Sequence, residues 1–234
     1  VLVQLGVMVG APHDAIAVER LRRAGASIVC TGNTSEFACK GLTTNRVYGV
    51  TRHPMDERLT PGGSSGGCAV AVADGMAPLA LGTDGGGSSR RPPAHVGVVG
   101  FKPSWGAVPD SIGFPHAFNG LQVIAPIARH AGDAALLFEA IAGADRRDPD
   151  SVALAATDER VVRRPRIAYS PRLGLDVPVD ADVESAVHAA IALHLVNDPE
   201  GVKQGGVLTV DRHELNVEAK PGDLPESIDV DVSA

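Results

Sequence analysis

Aromatic residues are scarce in this 234-residue chain: one Trp, two Tyr and five Phe make up 3% of it. A core without large rings must be filled by small and branched aliphatic side chains, which suits helices packed tightly on a sheet. Cysteine is nearly as rare. Cys30, Cys39 and Cys68 form no C-x-x-C pair, and the odd count argues against a disulfide framework and for a reducing, cytoplasmic setting. Each of the three is read as small apolar filler. No apolar run approaches the length of a membrane span, and no basic-then-apolar leader ends in a processing site, so no membrane partner is expected. His95, His116 and His130 are scattered without metal-ligand spacing, and neither a metal nor a cofactor is expected. An excess of basic charge is missing as well. The net charge is −7, so nothing in the charge points to a nucleic-acid partner.

What is present is uneven. Apolar residues make up 44% of the chain, enough for a core. From His194 onward there are nine acidic and three basic residues, whereas the first 193 positions are nearly balanced with 19 and 18. Alanine also nearly vanishes after Ala192, leaving Ala219 and Ala234. Such a joint break in charge and composition marks a domain boundary, predicting one domain over 1–193 and a second piece over 194–234.

The most informative stretch is Thr60 to Lys102, TPGGSSGGCAVAVADGMAPLALGTDGGGSSRRPPAHVGVVGFK. Two glycine-rich turns that carry serine, Pro61–Gly67 and Gly82–Ser88, flank an Ala/Val-rich run and a short apolar one. The spacing predicts a buried helix over Cys68–Met76 and a strand at Leu79–Leu81. A helix followed by a return strand can bring both turns to one cavity. Glycine lets a backbone adopt positive φ and aim several N–H groups at one point, as an oxyanion hole beside a nucleophilic serine requires. A lone GGSSGG is also the composition of a flexible linker, and no Lys-Ser/Thr pair follows the second turn as in a phosphate-binding loop.

Upstream, Asp14–Ala24 reads as an amphipathic helix with Ile16, Ala17, Leu21 and Ala24 on one face, stopped by Gly25. Ser27–Cys30 reads as a buried strand, and the pair suggests an α/β layer architecture. Downstream, Asp133–Ala142 and Asp182–Leu193 read as helices, the latter started by Asp180 or Asp182, and Arg166–Ser170 as a strand.

Taken together, these motifs resemble the amidase signature family, whose pattern runs GGSSGG, GTDxGGSIR, GxxGxKP. Here these are Gly62–Gly67, Gly82–Arg90 and Gly97–Pro103, with 24 positions between Ser64 and Ser88. The wording RLRRAGASIVCTGNTSEFACKG and TTNRVYGVTRHP extends the likeness back to about Pro12, and LQVIAPIAR continues it. The resemblance implies an α/β fold, part of the family's mixed sheet covered by helices. It implies Ser88 as acyl nucleophile and Ser64, in a cis peptide link, as proton relay. It further implies the amides of Gly85, Gly86 and Gly87 as oxyanion hole, with Asp84 and Arg90 supporting the loop. The substrate it implies is a small-molecule amide, a linear carboxamide; the oligomeric state stays open.

The family's general base is a lysine on an upstream strand in a V-x-V-K-D type context. No such motif precedes Ser64, so the chain is expected to start after that lysine and to be impaired as a hydrolase. Lys40, the one lysine upstream of Ser64, is read as a surface or loop-supporting residue, and Lys102 as part of the KP motif. The tail reads differently again. Alternation over Gly206–Val210, Glu214–Glu218 and Ser227–Val232 predicts short strands. GVKQGGVL and ELNVEAKPGDLPESIDVDVSA resemble the β-rich C-terminal domain of the bacterial ribosomal general stress protein CTC. Two function classes therefore stand: an amidohydrolase acting through a Ser88 acyl-enzyme, or a non-catalytic fusion or ribosome-associated fragment.

Overall fold

The computed structural model describes residues 2–4, 13–110, 120–154 and 175–196. The chain forms two compact units, Val1–Thr157 and Asp158–Ala234.

The first unit is built on a five-stranded mixed sheet. Its strands are β1 (Leu2–Gln4), β2 (Cys30–Gly32), β5 (Leu79–Asp84), β6 (Val99–Gly100) and β7 (Val123–Ala128), in the order β2-β1-β5-β7-β6. The first three strands in that order run parallel, and β7 pairs antiparallel with both β5 and β6. A hairpin of β3 (Thr44–Asn45) and β4 (Gly49–Val50) stands apart from it.

Because successive side chains on a strand point to opposite faces, β5 serves two cores at once. Ala80 joins Cys68, Ala71, Val72, Ala77 and Ile127 under helix α2 (Gly66–Ala73). Leu81 joins Ala17, Leu21, Val108, Leu137 and Ile141 under α1 (Ile16–Arg23) and α4 (Ala131–Ile141). No aromatic ring is fully buried in either cluster, and the small side chains let the helices sit close. Ile127 is the bulkiest side chain in the α2 layer and is fully buried. Truncating it, Ile127→Ala, is expected to cost about 2–5 kcal/mol through lost burial and an unfilled cavity. Urea unfolding followed by the fluorescence of Trp105, the single tryptophan, would measure this.

Helix α1 begins at Ile16 and buries Ile16, Ala17, Val18 and Leu21; Ala24 is its exposed C-cap rather than part of the buried face. Its Arg20 guanidinium donates to the carbonyls of Ile141, Ala142, Gly143 and Ala144 at 2.7–2.9 Å, capping the end of α4. The strand expected at Ser27–Cys30 lies three residues later, at Cys30–Gly32, and Val29 is exposed. Gly32 sets this register, because a Cβ there would fall 2.5 Å from Cys68 Sγ on α2. The helix expected over Cys68–Met76 begins and ends earlier, because Ser65 enters it and Gly75 turns the chain at φ +75°.

In the second unit α5 spans Ala181–Val196, and the Asp180 carboxylate accepts from the Asp182 N–H at 2.9 Å as its N-terminal cap. The strands expected at Arg166–Ser170 and in the tail lie outside the described residues, as does His116. Among the described residues no helix is long and apolar enough to cross a membrane.

Candidate active site

The two glycine turns meet, and they are tied together by side chains neither of which is a predicted catalytic residue. Ser65 opens α2, and its hydroxyl lies 3.3 Å from both the N–H and the carbonyl of Thr83 on β5. Arg91, first residue of α3 (Arg91–Val96), donates from Nη2 to the carbonyl of Gly63 at 3.0 Å. The first turn is clamped a third time by buried Thr43. Its Oγ1 donates to Gly62 O at 2.8 Å, lies 3.3 Å from Ser64 O and accepts from the Gly66 N–H at 3.0 Å. Between these fixed points the Gly63–Ser64 peptide is cis, as the family resemblance implies.

Asp84 organises the second turn. It ends β5, is fully buried, and its carboxylate accepts five hydrogen bonds. Oδ1 takes the Gly87 N–H at 2.7 Å and Arg90 Nη2 at 3.1 Å. Oδ2 takes Arg90 Nε at 2.9 Å, Ser89 Oγ at 2.9 Å and the Ser89 N–H at 3.2 Å. Burial by itself would raise the carboxyl's pKa. The Arg90 fork and the Gly87 and Ser89 donors outweigh it and hold it down at about 2. Ser89 stands where the family pattern has isoleucine, so one donor to Asp84 was invisible to motif matching. Behind the turn, a Cβ at Gly100 would collide with the carbonyl of Ser89. That close approach explains the second glycine of the G-x-x-G-x-K-P motif. Gly100→Ala must push the turn forward and is expected to cost at least about 1–3 kcal/mol as overpacking, readable in the same urea titration.

Both serines open on a cavity of about 180 Å³, together with Thr83, Gly85, Gly86 and Gln122. Ser64 is 1% exposed, and its Oγ has no hydrogen-bond partner among the described residues. Ser88 is half-buried and likewise makes no hydrogen bond among them. The N–H groups of Gly85 and Gly86 are unengaged by other described residues, whereas that of Gly87 is committed to Asp84. An unpaired, fully buried hydroxyl is costly, and in a native site it calls for a partner.

Lys40, read as a surface or loop-supporting residue, is exposed and lines this cavity, along with Cys39, Gly41 and Arg91. Its ammonium lies 4.0 Å from the Glu36 carboxylate. Lys102 donates weakly to Pro103 O at 3.5 Å and is not part of the cavity wall. His95 and His130 are exposed and outside the cavity. Of the cysteines, Cys68 fits the apolar-filler reading, with its thiol pushed up to about 12 by burial. Cys30 and Cys39 are exposed and do not. Thr43 and Arg91 carried no motif signal: a single threonine in a TTN segment and an arginine after SSR become visible only once the chain is folded.

The Amidase family model matches residues 7–196, and the model for the C-terminal domain of ribosomal protein TL5 matches residues 186–234. A glutamyl-tRNA(Gln) amidotransferase subunit from Symbiobacterium thermophilum is 45% identical over 184 residues, covering 75% of this chain and 38% of that protein. The same subunit from Saccharolobus solfataricus is 44% identical over 159 residues, covering 67% of this chain and 33% of that protein. Among solved structures, 6-aminohexanoate cyclic dimer hydrolase with substrate superposes at TM-score 0.67 and 29% identity, covering 80% of this chain and 41% of that one. The corresponding amidotransferase subunit from Thermotoga maritima superposes at TM-score 0.55 and 38% identity, covering 61% and 31%. The chain thus spans about a third to two fifths of the length of such relatives. By the family model over residues 7–196, the protein belongs to the amidase family.

Proposed function

We propose that the cavity performs serine acyl transfer on a linear carboxamide. The observation that carries this is the convergence of Ser88, buried unpartnered Ser64 and the unengaged amides of Gly85 and Gly86 on one cavity. Ser88 Oγ attacks the amide carbon, and the carbonyl π electrons move onto oxygen. The developing oxyanion is held by the Gly85 and Gly86 N–H groups, while Gly87, expected as a third donor, instead fixes the turn through Asp84. Ser64 Oγ, buried beside the cavity and not hydrogen-bonded to Ser88 in this structure, is the group through which the Ser88 proton would pass to a base. The C–N bond then breaks, the amine leaves with a proton, and water releases the acid from the Ser88 ester. Asp84 and Arg90 act as positioning residues.

Ser64 Oγ has no base within hydrogen-bond reach among the described residues, so we propose that the 234-residue polypeptide turns over slowly. A serine without a general base retains what binding and the oxyanion hole contribute, ~10³ over water in stripped triad enzymes. Hydroxylamine trapping tests the reading: an acyl-enzyme partitions to a hydroxamate, and hydrolysis with no hydroxamate would sink it.

The match of residues 186–234 to a ribosomal domain favours one alternative, a non-catalytic ribosome-associated chain with pieces at 1–193 and 194–234. Co-sedimentation with ribosomes, together with no hydroxamate, is its expected signature.

A further inference from the structure

The oxyanion hole is one donor short of the three that the family resemblance implies. The N–H of Gly87 is spent on Asp84, which leaves the amides of Gly85 and Gly86 on the cavity wall. Gln122 lies across from them. Strands β5 and β7 pair antiparallel up to Asp84↔Val123, and one step further along the two chains stand Gly85 and Gln122. Alternation sets Gln122 on the face of Thr83, which lines the cavity, and away from the face of buried Asp84 and Val123. Gln122 lines the cavity with Gly85, Gly86 and Ser88, and its side-chain amide makes no hydrogen bond among the described residues. On its other side, a void of about 10 Å³ has room for barely one water. The Asp148 carboxylate there already accepts the Asp110 and Asp150 N–H groups. A half-buried primary amide, with two N–H donors and no partner among the described residues, thus borders the oxyanion turn.

We infer that the Gln122 side-chain amide is a third oxyanion donor, its Nε2 taking the place that Gly87 gives up. As Ser88 Oγ adds to the amide carbon, negative charge builds on the former carbonyl oxygen. The Gln122 N–H joins those of Gly85 and Gly86 in holding it. A donor set there before the reaction gains most when the charge appears, so it speeds the step more than it tightens substrate binding. The inference rests on the acyl-transfer reading, since without attack by Ser88 there is no oxyanion to hold.

The test is labelling of the 234-residue chain by a small fluorophosphonate, followed by intact mass over time and over reagent concentration. That series separates reversible binding from the maximal labelling rate. The Ser88 Oγ–P bond forms as the P–F bond breaks, fluoride and the Ser88 proton leave to solvent, and the phosphoryl oxygen occupies the oxyanion's place. Gln122→Met keeps length and bulk but carries no donor. Its maximal rate is expected to fall about 10²-fold, the size of one lost oxyanion donor, with reversible binding unchanged. Gln122→Glu keeps the shape and an acceptor oxygen, and it should be at least as slow, because a carboxylate repels the developing charge. A role in packing, or as an acceptor, would spare Gln122→Glu. The Met variant should unfold at the same urea concentration as the unsubstituted chain. Labelling of Gln122→Met at the unsubstituted rate, a loss confined to reversible binding, full-rate labelling of Gln122→Glu, or a lowered urea midpoint in Gln122→Met would overturn the inference. An unsubstituted chain that takes up no adduct would instead sink the acyl-transfer reading, and the third donor with it.

Discussion

Replacing Asp84 by alanine is expected to destabilise the first unit by about 3 kcal/mol and to silence the cavity. The side chain is fully buried and serves as acceptor for the Gly87 and Ser89 N–H groups, the Ser89 hydroxyl and the Arg90 fork. Removing it leaves two backbone donors and a hydroxyl unsatisfied, at about 1–3 kcal/mol each before relaxation. Arg90 is 53% exposed and can turn to water, so no buried charge is stranded and the cost stays at the lower end for a broken ion pair. Trp105 fluorescence in urea would read the loss. The same carboxylate gives a pH signature. Its folded pKa, about 2, lies below the ordinary aspartate value of 3.8, so it stabilises the fold above that ordinary value. This contribution, about 2–3 kcal/mol, fades as pH falls from about 4 towards 2. Asp84→Ala should be flatter than the unsubstituted chain over that acid window, and parallel curves would refute the assignment.

The second large effect concerns the relay. Ser88→Ala is expected to abolish hydroxamate formation, a loss of at least about 10³-fold, because no other cavity-lining hydroxyl follows directly on the Gly85–Gly87 segment. Ser64→Ala should also slow the reaction, for a different reason. General-base assistance contributes about 10²–10⁴ in rate, and Ser64 Oγ is the buried group through which it would act. A small primary amine such as propylamine, free-base at alkaline pH, should then accelerate hydroxamate formation by the unsubstituted chain. It should not do so in Ser64→Ala. Equal acceleration of both would mean that the amine acts on the substrate directly.

The glycine turns were legible in the sequence because runs of glycine interrupted by serine are themselves turn signals, whatever the rest of the chain does. The family pattern added the cis Gly63–Ser64 peptide, which no periodicity could signal. The strands were harder. β1 is a three-residue segment between β2 and β5, and β7 joins β5 to β6; both are defined by long-range pairing rather than by local pattern. Ser89, Thr43 and Arg91 were missed for one shared reason. Each acquires its role from a partner 5 to 28 positions away: Asp84 for Ser89, the Gly62 carbonyl for Thr43 and the Gly63 carbonyl for Arg91. Gly87 went the other way. The family resemblance implied an oxyanion donor there, and the Gly87 N–H donates to Asp84 Oδ1.

The central claim, that Ser88 is a nucleophile in an assembled cavity, is tested most directly by intact-mass analysis of the 234-residue chain treated with a fluorophosphonate. The account predicts one adduct, mapped to Ser88, formed slowly and absent from Ser88→Ala. A folded chain that takes up no adduct, or an adduct that persists in Ser88→Ala, would contradict it.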